Sequence, residues 1–183
     1  MANKLFRLLY NGIRGIGNPV YFRLAAVEPT TRISRASGAV LHIGKGFRSR
    51  HHVEINVRDN AVLEIGNNVF LNSGCIITAR ERVQIGDNTI FGPNVVIYDH
   101  DHEIREGKIL DNGFITAPVT IGANAWIGAG SVILKGARIG DNCVIAAGSV
   151  VTGTVEKGHV LVQKRKSEFR AISEPRKDGQ CED

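Results

Sequence analysis

A polar segment near the middle of the chain gathers the side chains best suited to proton transfer. It reads Tyr98-Asp99-His100-Asp101-His102-Glu103 and so sets two histidines among three carboxylates. An imidazole with a pKa near about 7 can remove a proton from a weak nucleophile, provided that an acceptor holds its other ring nitrogen. Asp99, Asp101, Glu103 or a backbone carbonyl could supply that acceptor. A solvated turn with incidental histidines is the alternative interpretation.

The polar segment interrupts a repeat in which an aliphatic residue returns at every sixth position between Ile65 and Val162. A period of six is three times the strand period of two and does not fit a helix. Gly often follows the aliphatic residue, and a small or β-branched residue, such as Cys75 or Cys143, comes four positions after it. The pattern predicts short strands separated by corners, with both kinds of residue pointing inward.

Three hexads close one triangular coil, and the 18 residues from Ile121 to Ile139 make one such coil. Stacked coils let every strand pair with its equivalents above and below. The sequence therefore predicts an all-β solenoid domain over residues 31–162. Residues 99–118 leave the coil as an excursion loop, and a loop of this kind often forms the functional face of a solenoid.

The two ends of the chain differ from the repeat. Residues 1–30 predict a short amphipathic helical segment, with apolar residues on one side and Lys4 and Arg7 on the other. This segment is expected to cap the open end of the solenoid or, through residues 1–16, to touch an anionic membrane surface. Residues 163–183 are expected to be a basic stretch followed by a disordered tail.

The composition of the chain bears on its location in the cell and on its binding partners. The net charge of +5 and the pI near 9.3 are mildly basic and compatible with an anionic ligand. Three cysteines argue against a disulfide framework, and no apolar run approaches the length of a membrane span. The N-terminus has no signal-peptide core. We expect a cytoplasmic protein, at most peripheral at the inner face of the membrane, with no nucleic-acid partner.

Three signatures together resemble the hexapeptide-repeat acyltransferases. They are Ile85-Gly-Asp-Asn, Pro118-Val-Thr-Ile-Gly-Ala-Asn-Ala-Trp126-Ile-Gly and Ala147-Gly-Ser-Val-Val151. The resemblance extends over roughly residues 43–162. It implies a left-handed parallel β-helix, which is an exception to the right-handed crossover rule. It also implies a homotrimer whose active site lies between two chains.

The resemblance gives His102 the role of general base, with His100 as its catalytic neighbour. In the maltose- and galactoside-type members, the catalytic histidine lies five residues after the last aliphatic residue before the loop. It also lies sixteen residues before a Pro-Val-x-Ile-Gly motif, and Ile97 and Pro118 give both spacings here. The base would deprotonate a sugar hydroxyl as it attacks the thioester of acetyl-CoA, which is worth roughly 10²–10⁴ in rate.

The same resemblance implies where acetyl-CoA and the acceptor would bind. The backbone groups of Ala129, Gly130 and Ala147 are expected to lie near the pantetheine arm. The basic side chains of Lys164, Arg165 and Lys166 are expected to lie near the nucleotide phosphates. Acceptor contacts are expected from Asn72, Tyr98, Asp99 and Trp126. Gly74 stands where the family has a second asparagine, and Gln163-Lys-Arg-Lys replaces its usual Gly-x-Pro-Ala end, so both sites depart from the family pattern.

The sequence leaves the acceptor of the acetyl group open. The sequence around His102 most resembles polysaccharide O-acetyltransferases, which implies a sugar hydroxyl of a bacterial surface polysaccharide or its precursor. N-acetylation of a nucleotide-linked amino sugar and acetylation of an antibiotic are alternatives, and a non-enzymatic solenoid is a further one. Zinc carbonic anhydrases share the fold, but they need three converging histidines. The spacing of His100 and His102 is wrong for that site, so no metal is expected.

Overall fold

The described part of the chain is built from short β-strands. The structure is a computed structural model and describes residues 26–164. No helix occurs among these residues, so none of them forms a helix long and apolar enough to cross a membrane. The expected amphipathic segment at residues 1–30 and the tail at residues 163–183 lie largely outside the described range.

Twenty strands follow one another within residues 26–164. They are β1 (Arg32–Arg35), β2 (Val40–Ile43), β3 (Arg48–Ser49), β4 (Glu54–Val57), β5 (Val62–Ile65), β6 (Phe70–Leu71), β7 (Ile76–Ala79), β8 (Arg82–Ile85), β9 (Ile90–Phe91) and β10 (Val96–Tyr98). The second half contains β11 (His100–Arg105), β12 (Lys108–Thr116), β13 (Val119–Ile121), β14 (Trp126–Ile127), β15 (Val132–Ile133), β16 (Arg138–Ile139), β17 (Val144–Ile145), β18 (Val150–Val151), β19 (Thr154–Val155) and β20 (Val160–Leu161).

Three parallel sheets of six strands form the sides of a triangular prism. Face 1 has the order β1-β4-β7-β10-β15-β18, face 2 has β2-β5-β8-β13-β16-β19, and face 3 has β3-β6-β9-β14-β17-β20. The chain visits faces 1, 2 and 3 in turn and then begins the next coil. This architecture confirms the predicted all-β parallel solenoid. Its left hand stays an expectation from the resemblance.

The core is a set of aliphatic columns that run through the coils. On face 1, for example, Ile55, Ile77, Ile97 and Ile133 stand in register on successive strands, and all four are buried. Cys75 and Cys143 are buried as predicted from their hexad positions. Full burial of one aliphatic side chain is worth about 1.5–3 kcal/mol, so the columns supply the main stabilisation.

Coil length falls along the chain. The backbone N–H of Lys45 meets the side chain of Asn67, which is 22 residues away, and the N–H of Asn67 meets Asp87, which is 20 residues away. The N–H of Ala123 meets Asp141, 18 residues on. The ideal coil of 18 residues therefore applies above the excursion, while the lower coils have longer strands on faces 1 and 2.

Three columns of corner residues join the faces, and each differs from the others. The hairpin corner joins face 1 to face 2 and consists of residues 36–39, 58–61, 80–81, 99–118, 134–137 and 152–153. The capped corner joins face 2 to face 3 through residues 44–47, 66–69, 86–89, 122–125, 140–143 and 156–159. The alanine corner joins face 3 to face 1 through residues 50–53, 72–75, 92–95, 128–131, 146–149 and 162–164.

Close approach of successive coils explains the glycines that begin many corners. A Cβ placed on Gly86 would lie 2.5 Å from the backbone nitrogen of Ala123, and one on Gly128 would lie 2.5 Å from that of Ala147. No real Cβ tolerates these distances, so the coils can stack at the spacing of β-strands only with glycine there.

The excursion at residues 99–118 is an antiparallel hairpin rather than an irregular loop. Strands β11 and β12 pair with each other, with His102 opposite Phe114 and Ile104 opposite Ile109. Glu106 and Gly107 connect them at φ values of 50° and 74°, which is the conformation of a two-residue hairpin turn. The hairpin therefore gives the two histidines fixed places on a strand.

Candidate active site

Asp99 fastens the base of the hairpin to the coil below. Its carboxylate is fully buried and accepts hydrogen bonds from three consecutive backbone N–H groups, those of Arg80, Glu81 and Arg82, at 2.8–3.0 Å. Hydrogen bonds to a charged group are worth about 1.5–3 kcal/mol each. The N–H of Ala117, at the end of the hairpin, donates to the Asp99 carbonyl at 2.9 Å. Both ends of the hairpin are thus held at one residue.

His100 is the first residue held by this anchor. Its Nδ1 lies 3.1 Å from Oδ1 of Asp99, and its side chain is only 13% exposed. A carboxylate that already accepts from backbone N–H groups acts as an acceptor, so Nδ1 carries the proton. The remaining nitrogen, Nε2, is then an acceptor. Asp99 was predicted to contact the acceptor substrate, and its buried position fits a positioning role instead.

His102 has a different partner and a more open position. Its Nδ1 lies 3.0 Å from the carbonyl oxygen of Leu110, on the opposite strand of the hairpin. A carbonyl can only accept, so Nδ1 must be the protonated nitrogen and Nε2 must carry the free lone pair. Because the side chain is exposed, that lone pair is accessible to a ligand. This is the protonation state that a general base needs.

Phe114 links the two histidines. Its ring centroid lies 4.8 Å from that of His102 and 5.5 Å from that of His100, and Tyr98 lies 5.5 Å from His100 on its other side. Such aromatic pairs favour one ring orientation and restrict rotation. Arg80 completes the cluster, since its Cζ lies 3.3 Å from the Phe114 centroid. Sequence reasoning missed Arg80 and Phe114, because nothing in the hexad pattern indicates contacts between a corner and the excursion.

The alanine corner contains the residues predicted to hold acetyl-CoA. Within residues 26–164, the N–H groups of Ala129 and Ala147 have no hydrogen-bond acceptor. On the capped corner the equivalent N–H groups of Lys45, Asn67 and Ala123 are taken by side chains of the next coil. The corner around Gly130 is also open, because a Cβ added there would meet nothing within 4 Å. These two donors can serve amide or thioester oxygens of a ligand.

The upper end of the alanine corner leads to the predicted phosphate contacts. The side-chain amide of Gln163 accepts a hydrogen bond from the N–H of Val150 at 3.0 Å and donates one to its carbonyl at 2.6 Å. It therefore forms the hydrogen bonds that a further strand on face 1 would form. Lys164 follows it and is exposed. Arg165 and Lys166 lie outside the described residues.

Two predicted acceptor residues lie away from the histidines. Asn72 is on the alanine corner, where its Oδ1 accepts from the N–H of Ser73 at 2.8 Å. Trp126 is on face 3 between Ile90 and Val144, and it is 56% exposed. Its outward position between apolar neighbours fits either a ligand wall or an interface.

A single chain does not bring the two halves of the site together. The histidines lie at the hairpin corner and Ala129 lies at the alanine corner, and the strands of face 1 separate them by roughly 15 Å at about 3.3 Å per residue. Acyl transfer requires reacting atoms within about 3–3.5 Å. Their placement on different corners agrees with the active site between two chains that the resemblance implies.

Comparison with known proteins confirms the resemblance predicted from the sequence. Residues 118–153 match the family model "Bacterial transferase hexapeptide (six repeats)". The described fold is thus a parallel β-solenoid that contains, at these residues, the hexapeptide repeat of bacterial transferases. The match includes Trp126, Ala129, Gly130 and Ala147, but it ends before Lys164 and begins after the hairpin histidines.

Among individual relatives, the galactoside O-acetyltransferase of Escherichia coli is 40% identical over 90 residues, which are 49% of this chain and 44% of that protein. Escherichia coli WbbJ, named for O-acetyl transfer in lipopolysaccharide biosynthesis, is 26% identical over 166 residues, which are 86% of this chain and 78% of WbbJ. The chain spans about half the length of the first two curated relatives that it matches.

The fold has a counterpart among solved structures. AntD, an N-acyltransferase from Bacillus cereus solved with dTDP-4-amino-4,6-dideoxyglucose and coenzyme A, superposes with a TM-score of 0.63. The superposition covers 79% of this chain and 80% of AntD at 16% sequence identity. At that identity the likeness shows a common fold.

Proposed function

We propose that the protein is an acetyl-CoA-dependent acetyltransferase and that its acceptor is a sugar hydroxyl of a bacterial surface polysaccharide or its precursor. The observation that carries the proposal is the hydrogen bond from His102 Nδ1 to the Leu110 carbonyl, which leaves Nε2 unprotonated and exposed. The names of the galactoside O-acetyltransferase and of WbbJ support an O-linked product.

The proposed reaction uses His102 twice. As the acceptor hydroxyl oxygen attacks the thioester carbonyl carbon, its proton passes to Nε2 of His102. The new C–O bond becomes the ester, the C–S bond breaks, and the proton returns from His102 to the departing sulfur. The Leu110 carbonyl stabilises the transient imidazolium through Nδ1–H. We assign His100 a supporting role, because its contact with buried Asp99 holds it beside His102 through Phe114.

The alanine corner fits the donor substrate. Coenzyme A would lie along it with oxygen atoms near the unpaired N–H groups of Ala129 and Ala147, beside the open space at Gly130. A free N–H aimed at the thioester oxygen would also stabilise the oxyanion formed during attack. Lys164, with Arg165 and Lys166 beyond the described range, would supply positive charge to the phosphates.

A homotrimer would complete the site. In a ring of three chains, the hairpin corner of one protomer could face the alanine corner of its neighbour, although the strands of face 1 keep these corners roughly 15 Å apart within one chain at about 3.3 Å per residue. Tyr98 beside His100, Asn72 on the alanine corner and exposed Trp126 would then border one cleft and contact the acceptor.

The linkage formed distinguishes this function from the alternatives. Purified protein is incubated with radiolabelled acetyl-CoA and a panel of sugars, glycans, amino sugars and aminoglycosides. We expect label on sugars without a free amine, and we expect mild alkali to release it, because esters hydrolyse under conditions that amides survive. Label that resists alkali would make the protein an N-acetyltransferase. No transfer to any acceptor of the panel would count against the proposed activity.

The assembly can be tested independently of activity. Sedimentation equilibrium is expected to give about three times the chain mass of 19.9 kDa. A clean monomer at the concentrations used for the assay would remove the shared site, since one chain keeps its two halves apart.

A further inference from the structure

We propose that Arg80 binds an anionic group of the acceptor, so that the acceptor is a sugar carrying a carboxylate or a phosphate. This inference rests on the proposed function and narrows its substrate class. Arg80 lies on the hairpin corner, one coil below the histidines, and its guanidinium stacks on the Phe114 ring that contacts both of them.

The first argument is the unpaired donor. Nε of Arg80 is buried and has no hydrogen-bond partner among the described residues. None of the ion pairs formed within residues 26–164 includes Arg80. A buried polar group without a partner is rare in native proteins and costs stability, so the chain alone does not satisfy the hydrogen-bonding capacity of the Arg80 guanidinium.

The second argument is the geometry of the stack. With Cζ 3.3 Å from the ring centroid, one face of the guanidinium is covered by Phe114. The N–H groups lie in the guanidinium plane and therefore still point outward from the stack. Two parallel N–H groups in that plane match the oxygens of a carboxylate or phosphate, and stacking holds the fork in place.

The third argument is electrostatic. Burial lowers the pKa of the Arg80 guanidinium and neighbouring Arg58 lowers it further, while Asp99 and Asp59 act in the opposite sense. Asp99 itself is occupied by three backbone N–H groups and His100, so it is not available as a direct partner. An arginine stays protonated in proteins. The guanidinium is therefore positively charged and lies beside a second arginine, Arg58, so an anion bound there would be attracted by both.

The position of Arg80 near His102 links anion binding to the proposed reaction. His102 and Arg80 both contact Phe114, so a sugar whose hydroxyl reaches His102 Nε2 can extend a neighbouring substituent towards the guanidinium. Neutral sugars would leave the fork unpaired. An acidic residue of a polysaccharide and a sugar phosphate precursor share the chemistry required, and the two can be separated by experiment.

A matched set of probes tests the inference by binding. Galactose, galacturonate and galactose 1-phosphate are titrated into the full chain, and the arginine Nε–Hε resonances are followed by NMR. We expect at least one anionic sugar to bind about 10- to 100-fold more tightly than galactose, which is the range for one charged, bidentate contact. The tighter of the two anions identifies the carboxylate or the phosphate as the recognised group.

Variants show whether Arg80 is responsible. Arg80→Met should remove the preference for the anion, so that the three sugars bind with similar affinity, and Arg80→Lys should restore only part of the preference, because lysine lacks the planar fork. Arg48 is a matched control, since its Cζ lies 5.1 Å from the Phe70 ring on face 3, away from the hairpin. Arg48→Met should keep the full preference.

Two results would overturn the inference. Equal affinity of the wild-type protein for all three sugars would show that no anion site exists. A preference that survives in a folded Arg80→Met variant would place the site elsewhere. Because these readouts do not depend on catalysis, failure to detect acetyl transfer would count against the proposed function and leave this comparison intact.

Discussion

Two corners of the same solenoid differ in the side-chain acceptors that they offer to the coil below, and we propose that this difference separates a structural corner from a ligand-binding one. On the capped corner, Asp87 and Asp141 each accept the N–H of the residue stacked below, at 2.7 Å and 2.9 Å. On the alanine corner, Ala147 stands at the equivalent place above Ala129 and has no acceptor to offer. We propose that the repeat creates a ligand site here because the side chain that would accept this N–H is absent.

The hairpin corner adds the group that the repeat itself cannot supply. Hexads place inward aliphatic residues and small corner residues, and neither can take a proton. The excursion provides His102, and the buried carboxylate of Asp99 fixes the excursion to the rigid coil below. We therefore expect changes at the hairpin corner to act on turnover, and changes at the alanine corner to act on affinity for acetyl-CoA.

Replacing His102 should have the largest effect. His102→Ala is expected to lower kcat by roughly 10²–10⁴, with little change in KM for acetyl-CoA, because a general base acts in the transition state. His102→Asn should be about as inactive, since an amide is too weak a base. Steady-state kinetics on protein of unchanged assembly and melting temperature measure both.

The neighbouring histidine provides the comparison. His100→Ala should reduce kcat less than His102→Ala, because His100 is mostly buried beside Asp99. If His100→Ala abolished turnover and His102→Ala left it intact, the base would be the histidine held by Asp99, and the alignment of this segment would be wrong by two residues.

Loss of the Asp99 anchor should have an intermediate effect that appears first in stability. Asp99→Ala leaves three backbone N–H groups without their acceptor and should lower the free energy of unfolding by about 2–4 kcal/mol. Asp99→Asn keeps one acceptor oxygen and should lose less. Urea denaturation measures both variants.

Asp101 is the matched control for Asp99. It lies two residues away on the same hairpin, and its ion pair with Lys135 at 3.3 Å is partly exposed, so Asp101→Ala should cost less than about 1 kcal/mol. Equal losses of unfolding free energy for Asp99→Ala and Asp101→Ala would show that the buried carboxylate of Asp99 stabilises the fold no more than a partly exposed ion pair does.

The regular part of the molecule could be predicted from the sequence because each hexad repeats a local rule. The inward positions, the parallel stacking and the outward place of Trp126 all follow from period and register. The hairpin was predicted only as a loop, although Ile104 and Ile109 flank a Glu-Gly turn that is typical of a hairpin. That turn signal is short compared with the six-residue period on both sides of it, so the period dominated the prediction.

The contacts that define the site were beyond sequence reasoning because they join segments that no period relates. The partner of His102 proved to be the Leu110 carbonyl, which depends on hairpin register. Asp99 meets a corner 17–19 residues earlier in the chain, and Arg80 reaches forward to Phe114. Only the spacing from Ile97 and to Pro118 pointed to His102, and that spacing rested on the resemblance.

The variant with the smallest expected effect tests the unpaired N–H groups of the alanine corner directly. Ala129→Pro removes one N–H, and the corner should accept the ring because Pro93 occupies the equivalent position in the coil below, where Gly130 donates to its carbonyl at 2.9 Å. One neutral hydrogen bond is worth about 0.5–1.5 kcal/mol, so KM for acetyl-CoA should rise about two- to tenfold with kcat nearly unchanged.

A second proline sharpens the contrast between the corners. Ala123→Pro removes an N–H that Asp141 already accepts, so it should destabilise the fold by about 1 kcal/mol and leave KM for acetyl-CoA unchanged. If Ala129→Pro instead lowered kcat by about 10²-fold or more, its N–H would stabilise the oxyanion rather than bind the donor. The alanine corner would then take part in the chemistry, and the division between a corner for turnover and a corner for affinity would fail.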